Sequence, residues 1–250
     1  MPTWTNDLAE WFSGIQAEFI LNFVERNRWR MLWNGLQNTL LITLMACLIG
    51  VAIGVFLAVI RASWEKSAPT MHKGFGRATL SFLNRICGFY ITIIRGTPIV
   101  IQLMIMYYII FASSSNGVMV AILAFGLNSG AYVAEIFRGG ILSIDKGQFE
   151  AGRSLGLNYF QTMLHIIAPQ VLKNVLPTLA NEFIVLLKET SVAGYVAVSD
   201  LTFAGNRIRG VTYSAFMPLI AVALIYLVVV MFLTRLVAKL ERRLRQGDIR

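Results

Sequence analysis

Two long apolar runs dominate the pattern of the chain. Residues 36–60, LQNTLLITLMACLIGVAIGVFLAVI, and 211–234, VTYSAFMPLIAVALIYLVVVMFLT, carry no charged side chain. Each exceeds the ~20 residues that a helix needs to cross a bilayer. Between Gly96 and Phe137 the only charge is Glu135, and that run is too long for one helix. The turn-forming stretch SSSNG at 113–117 divides it into two spans. A further span, at about 171–194, is less clean because it holds Glu182, Lys188 and Glu189. The pattern therefore predicts an all-α integral membrane protein with about five transmembrane helices, near 36–60, 78–112, 117–137, 171–194 and 212–236. These make a transmembrane domain over 35–250, preceded by a separate segment at 1–34.

That first segment has its own period. Leu8, Trp11, Phe12, Ile15, Phe19 and Phe23 recur at three- and four-residue steps, with Asp7, Glu10 and Glu18 elsewhere on the wheel. This predicts an interfacial helix, a membrane-surface elbow that leads into the first span. The N-terminus is acidic and aromatic without a basic stretch, so no cleavable signal peptide is expected.

Composition and charge then narrow the class. The chain of 250 residues is 56% hydrophobic and 14% charged, against about 25% charged in soluble domains. Its formal charge of +9 would suit nucleic acid if basic and aromatic residues were interleaved on a surface. Instead the cations cluster beside apolar runs, the signature of membrane topology, and no nucleic-acid partner is expected. Arg61, Lys66, Lys73, Arg77, Arg85 and Arg95 form one cluster; Arg235, Lys239, Arg242, Arg243, Arg245 and Arg250 form the other. Both belong in the cytoplasm under the positive-inside rule. The SSSNG turn has no cation and belongs outside, so five spans put the N-terminus outside and the C-terminus in the cytoplasm. Cys47 and Cys87 have no CxxC spacing, and His72 and His165 no ligand spacing. The thiols read as buried hydrophobes, and no metal is implied.

One stretch fits neither span nor slack linker: EAGRSLGLNYFQTMLHIIAPQ, residues 150–170. Asp145 with Gln148, and Asn158 with Gln161, have the spacing of an N-cap and its third helical residue. Gly156 lies between them, where a left-handed residue would end the first helix. Pro169 suits the opening turn of the next span. The segment 143–168 is thus predicted as a cytoplasmic helix–turn–helix with Leu155, Leu157 and Phe160 at its corner. Such a corner is either a docking knob for another protein or a loop packed only on its own spans.

The spacing Glu150-Ala151-Gly152, Gly156, Ile166, Ala168, Pro169 resembles the "EAA" signature of ABC-importer membrane subunits, E-A-A-x3-G-x9-I-x-L-P. Gly152 and Ala168 are the departures, and both are small or apolar. The stretches IIRGTPIVIQLMIMYY (93–108), LNSGAYVAEIFRGGI (127–141) and LLKETSV (186–192) are similar to the permease subunits of the polar amino-acid uptake family. The N-terminal 30 residues and the loop 64–76 do not carry the resemblance. The resemblance implies a bacterial inner-membrane subunit whose signature helix sits in a groove of a cytoplasmic ABC ATPase dimer. Glu150, Ala151, Gly152, Leu155, Gly156 and Leu157 are then the ATPase-contact residues. It also implies a second permease subunit, the same or related, and an extracytoplasmic amino-acid-binding protein. Consistent with this, the chain has no G-x-x-x-x-G-K-[ST], so ATP and magnesium would be used by the partner and no cofactor by this chain.

Charged groups inside spans are costly and mark candidate sites. Lys188 and Glu189, followed by Thr190 and Ser191, point about 100° apart on a helix of 3.6 residues per turn. They can meet the carboxylate and ammonium of a bound amino acid, or pair with each other or with neighbouring spans. In the second span, Arg95-Gly96-Thr97-Pro98 interrupts the helix and frees backbone groups. Arg95 either offers its planar fork to a carboxylate or snorkels to the interface. Gln102, seven residues on, shares its face. Glu135 and Arg138 are expected to pair at i,i+3. The substrate-binding candidates are therefore Arg95, Thr97, Gln102, Lys188, Glu189, Thr190 and Ser191.

Three functions compete at this stage: the membrane subunit of an ATP-driven importer for a polar or charged L-amino acid, a permease for another small solute, and a non-transporting membrane assembly protein. A secondary carrier should contain repeated halves, and five spans do not divide evenly.

Overall fold

In the computed structural model of the protein, the uncharged run at 36–60 lies inside a much longer helix. The structure describes residues 3–68, 71–72 and 74–245, with side chains for all of these except 3–10, 66, 67 and 245. Lys73 and Arg250, and the side chains of Asp7, Leu8, Glu10, Lys66 and Arg245, lie outside that description. Among the described residues every regular element is helical: α1 (Thr3–Phe19), α2 (Trp29–Ser67), α3 (Phe75–Gly96), α4 (Ile99–Ile105), α5 (Gly117–Leu142), α6 (Lys146–Ser154), α7 (Tyr159–Thr162), α8 (Ala168–Glu189), α9 (Leu201–Thr212) and α10 (Phe216–Arg245). The all-α membrane architecture expected from the pattern is the one observed.

Among the described residues, three helices are long and apolar enough to cross a membrane, 29–65, 117–142 and 216–244, and a bent pair raises this to four if it forms one span. The predicted span 78–112 is not one rod. It is α3 followed by a second piece, Ile99–Ile110, with a 108° bend between them. Thr97 is extended (φ −123°, ψ 145°), as the residue before a proline must be to avoid its ring. α8 is long enough at 22 residues but carries Lys173, Glu182, Lys188 and Glu189.

The centre of the bundle is the crossing of α2 and α5. Gly50 and Gly54 of α2 face Ser129 and Val133 of α5, while Gly126 and Gly130 of α5 face Ile49 and Ile53 of α2. A Cβ on Gly50 would stand 2.7 Å from the Ser129 hydroxyl, and one on Gly130 2.8 Å from Ile53. The backbones are therefore too close for any side chain at these positions, the small-xxx-small packing that drives helix association in lipid. Around this seam, Ala58, Phe137, Ile141, Ile167, Val171 and Val175 close one end. Ile42, Leu103, Phe125, Leu186 and Val196 close the other.

Two elements differ from expectation. The last span begins at Phe216, after α9, a helix the apolar pattern did not signal. Asp200 is its N-cap, accepting from the amides of Thr202 (3.0 Å) and Phe203 (2.9 Å). The same turn is held to α2 by Leu201, whose amide donates to Thr39 Oγ1 at 3.1 Å. The N-terminal helix α1 reaches α2 through a bend in which Arg26 and Asn27 both have φ 54°. Trp11, Phe12 and Phe19 are exposed and Phe23 is buried. Asn22 is buried as well, and it accepts from Thr212 Oγ1 at 2.8 Å.

Candidate functional site

The segment 143–168 folds as two short helices at a tight corner. Asp145 caps α6, accepting from the Gly147 amide at 2.6 Å. Asn158 and Gln161 form a reciprocal capping box, with bonds of 2.9 and 3.0 Å. Between them the Leu157 amide donates to Gly152 O (3.0 Å) and the Gly156 amide to Arg153 O (2.9 Å). This is the bonding of a Schellman turn, and Gly156 has the φ of +77° that such a turn requires. The bonds that close the turn are made within the segment, while Phe149, Met163 and Ile166 pack on the bundle and two apolar side chains at the corner do not. Leu155 is 75% and Phe160 71% exposed.

The other signature positions divide between surface and support. Glu150, Ala151 and Gly156 are exposed and Leu157 is half-buried. Gly152 is buried: a Cβ there would lie 2.5 Å from the Thr162 methyl. It holds α6 against α7 and lies off the exposed face, unlike its neighbours. The second short helix does not end before the span. It runs through a π-helical turn, Met163–Ile167, directly into α8, with Pro169 in the first turn. A proline has no amide to continue an α-helical ladder, and the wider turn lies where that bond is missing.

Inside the bundle, the Gly96–Pro98 break is braced by one side chain. Gln102 Nε2 donates to Ile94 O (2.7 Å), Thr97 O (3.1 Å) and Thr97 Oγ1 (2.8 Å). Its Oε1 accepts from Asn128 Nδ2 at 3.0 Å. Gln102 and Thr97, both expected at the substrate site, thus bond each other across the bend. Asn128, which sequence reasoning missed, joins the brace from α5.

Arg95 also finds an internal partner. Glu135 is approached by Arg138 (2.8 Å), Arg61 (3.0 Å) and Arg95 (3.9 Å), and Arg138 reaches Glu65 at 3.6 Å. Arg95 lies over the Tyr132 ring at 5.3 Å. The expected Glu135–Arg138 pair is present, but it belongs to a five-residue network that joins α2, α3 and α5.

Lys188 and Glu189 end α8, and Thr190 and Ser191 begin a 3₁₀ turn, Thr190–Val196. Lys188 is exposed, Glu189 and Ser191 are half-buried and Thr190 is buried. The Thr190 hydroxyl donates to Leu187 O at 2.7 Å. Leu186, close to Lys188 on α8, packs with Leu103 and Phe125, whereas Ile94, next to Arg95, packs with Ala131 and Ala134. Arg95 and Lys188 therefore lie against different levels of α5. Among the described residues, no group of His, Cys, Asp and Glu has metal-ligand geometry.

Comparison with known proteins places this architecture. Residues 74–246 match the profile of a family described as binding-protein-dependent transport system inner membrane component. The chain is 39% identical over 166 residues to the arginine transport system permease protein ArtQ of Bacillus subtilis, covering 65% of this chain and 76% of that one. It is 37% identical over 178 residues to the glutamine transport system permease protein GlnP of Escherichia coli, covering 69% and 81%. A crystal structure of an amino acid ABC transporter with histidines superposes with a TM-score of 0.76 at 37% identity, over 88% of this chain and 98% of that one. The inward-facing MetNI methionine ABC transporter shares the fold, with a TM-score of 0.73 at 21% identity.

Proposed function

Because this chain belongs to the family of binding-protein-dependent transport system inner membrane components, we propose that it carries a polar or charged L-amino acid across the membrane by alternating access. It is an ABC-importer permease subunit of the polar amino-acid family and a multi-pass inner-membrane protein. The energy comes from a cytoplasmic ATPase dimer that uses ATP and magnesium and grips the corner at Leu155–Phe160. A second permease subunit, the same or related, completes the path, and an extracytoplasmic binding protein delivers the substrate.

The observation that carries this reading is the exposed corner on a self-supporting turn. Leu155 and Phe160, 75% and 71% exposed on one short turn whose closing hydrogen bonds are already made, offer the kind of apolar surface that marks a docking site. The test is co-expression with the candidate ATPase, co-purification, and measurement of ATP hydrolysis with and without loaded binding protein. Stimulation that disappears in Leu155→Glu supports the reading, and stimulation that survives it removes the docking role. A cysteine at Ser114 should react with an impermeant thiol reagent added outside and one at Gln148 should not; the reverse would invert the orientation.

For the substrate, Lys188 meets the α-carboxylate and Glu189 the ammonium or a cationic side chain. The names of the two relatives, for arginine and glutamine transport, support a basic or polar amino acid. An unpaired charge in a low-dielectric path costs several kcal/mol, so both ends of the zwitterion need a partner. Glu189→Gln should reduce uptake of a basic amino acid at least about tenfold, the effect of ~1.4 kcal/mol, and leave basal ATP hydrolysis unchanged. Unaltered uptake would make Glu189 structural.

A further inference from the structure

Along the seam between α8 and α10 two clefts of opposite character meet end to end. The first, of about 230 Å³, is apolar: Phe183 and Ile184 of α8 face Leu233, Leu236, Val237 and Leu240 of α10. The second, of about 360 Å³, begins one residue further along α10 at Glu241. It is polar, lined by Lys173, Asn174 and Thr178 of α8, by Ser143 at the end of α5, and by Glu241. The helices run antiparallel here, since the earlier residues of α8 lie with the later residues of α10.

The dimensions suit one membrane leaflet. From Leu233 to Glu241 is eight residues, a rise of about 12 Å, close to the ~15 Å half-thickness of a bilayer hydrocarbon core. The polar cleft lies where α10 becomes basic, with Lys239, Arg242 and Arg243 around Glu241, so it sits at headgroup level. Lys173 and Glu241 are each engaged in interactions within the fold, which holds a cation and an anion at the cleft. A headgroup that is only anionic would confront Glu241, whereas one carrying a phosphate and an ammonium is complementary to both charges.

We propose that the α8–α10 seam binds a phospholipid of the leaflet at this end of the bundle, its acyl chain against Leu233–Leu240 and a zwitterionic, N–H-bearing headgroup in the cleft at Lys173, Asn174 and Glu241. This requires only that α8 and α10 lie in the bilayer, and it is independent of the solute carried.

The test uses the full chain with its partner subunits, reconstituted in nanodiscs of phosphatidylethanolamine and phosphatidylglycerol in equal amounts. The complex is re-extracted in mild detergent, and its retained lipid is quantified by native mass spectrometry. Retention should favour phosphatidylethanolamine. Leu236→Trp fills the apolar cleft and should lower that retention about tenfold, equivalent to ~1.4 kcal/mol. Val237→Phe repeats the test with a smaller change if the first variant fails to assemble. Glu241→Gln should keep a bound lipid but lose the preference over phosphatidylglycerol. Equal retention of the two lipids by the native protein, or undiminished retention in the filled-cleft variants, overturns the proposal. So does disulfide cross-linking through Val237→Cys that joins two copies across the seam, because a protein would then cover it.

Discussion

Two of the turns that interrupt the helices, at Gly156 and at Gly96–Pro98, are supported in opposite ways. At Gly156 the broken bonds are remade within the segment, by the Gly152–Leu157 and Arg153–Gly156 bonds and the Asn158–Gln161 box. At Gly96–Pro98 the repair comes partly from elsewhere: Gln102 crosses the bend and Asn128 steadies it from α5. Just before the bend, Arg95 faces Glu135, also on α5. A turn that satisfies itself can present its surface to another protein and move with it. A turn braced by other helices ties their positions to its own.

Substitutions at four positions would break or sharpen this contrast, and they are ordered by their expected effect on stability. Glu135→Ala leaves Arg61, Arg95 and Arg138 facing one another without their shared carboxylate. Charge-assisted hydrogen bonds contribute about 1.5–3 kcal/mol, so the thermal transition in detergent should fall by several degrees. An unchanged transition would mean that the network carries no load and the two turns are alike. Gln102→Leu removes the brace at the bend and leaves the Asn128 amide unmatched, at about 1–3 kcal/mol. Its expected signature is faster backbone hydrogen exchange at Ile94–Thr97, with α6 unaffected.

Gly156→Val forces a β-branched residue into the left-handed region, a cost of roughly 1–2 kcal/mol. A Cβ there meets no atom within 4 Å, so the penalty comes from the backbone and stays local. Gly156→Asn, which tolerates that conformation, should restore the turn and the coupling to ATP hydrolysis. If Asn rescues nothing, the conformation of Gly156 is not what matters. The smallest effect on the fold is expected for Leu155→Ser, within about 0.5 kcal/mol, because the side chain is already in solvent. The same variant should nevertheless abolish substrate-stimulated hydrolysis, and a large loss of stability instead would make Leu155 a packing residue.

Much of the self-supporting region was legible in the sequence. Asp145, Gly156, Asn158 and Gln161 act on neighbours two to five residues away, so their spacing carries their meaning. The packing of Gly152 against Thr162 is not legible in the same way, because Thr162 lies across the turn. α9 escaped notice because it is short and mixes Asn206, Arg207 and Arg209 with its apolar residues. The paired GVAIG and GLNSG stretches did hold a signal, the spacing of two small-residue faces, though not which helix each would meet.

The sequence by itself determined that this is a helical membrane protein and how the corner at Gly156 turns. Each of those properties depends on a run of apolar residues or on bonds that close within one turn of chain. Only the tertiary structure decided that Arg95 faces Glu135, that Gln102 and Asn128 brace the bend, and that Lys188 and Arg95 lie against different levels of α5. The two contacting pairs are separated by 26 and 40 residues of sequence. Periodicity tells which side of a helix is polar, but the crossing of α2 and α5, set by glycine-to-side-chain contact, decides which polar groups meet.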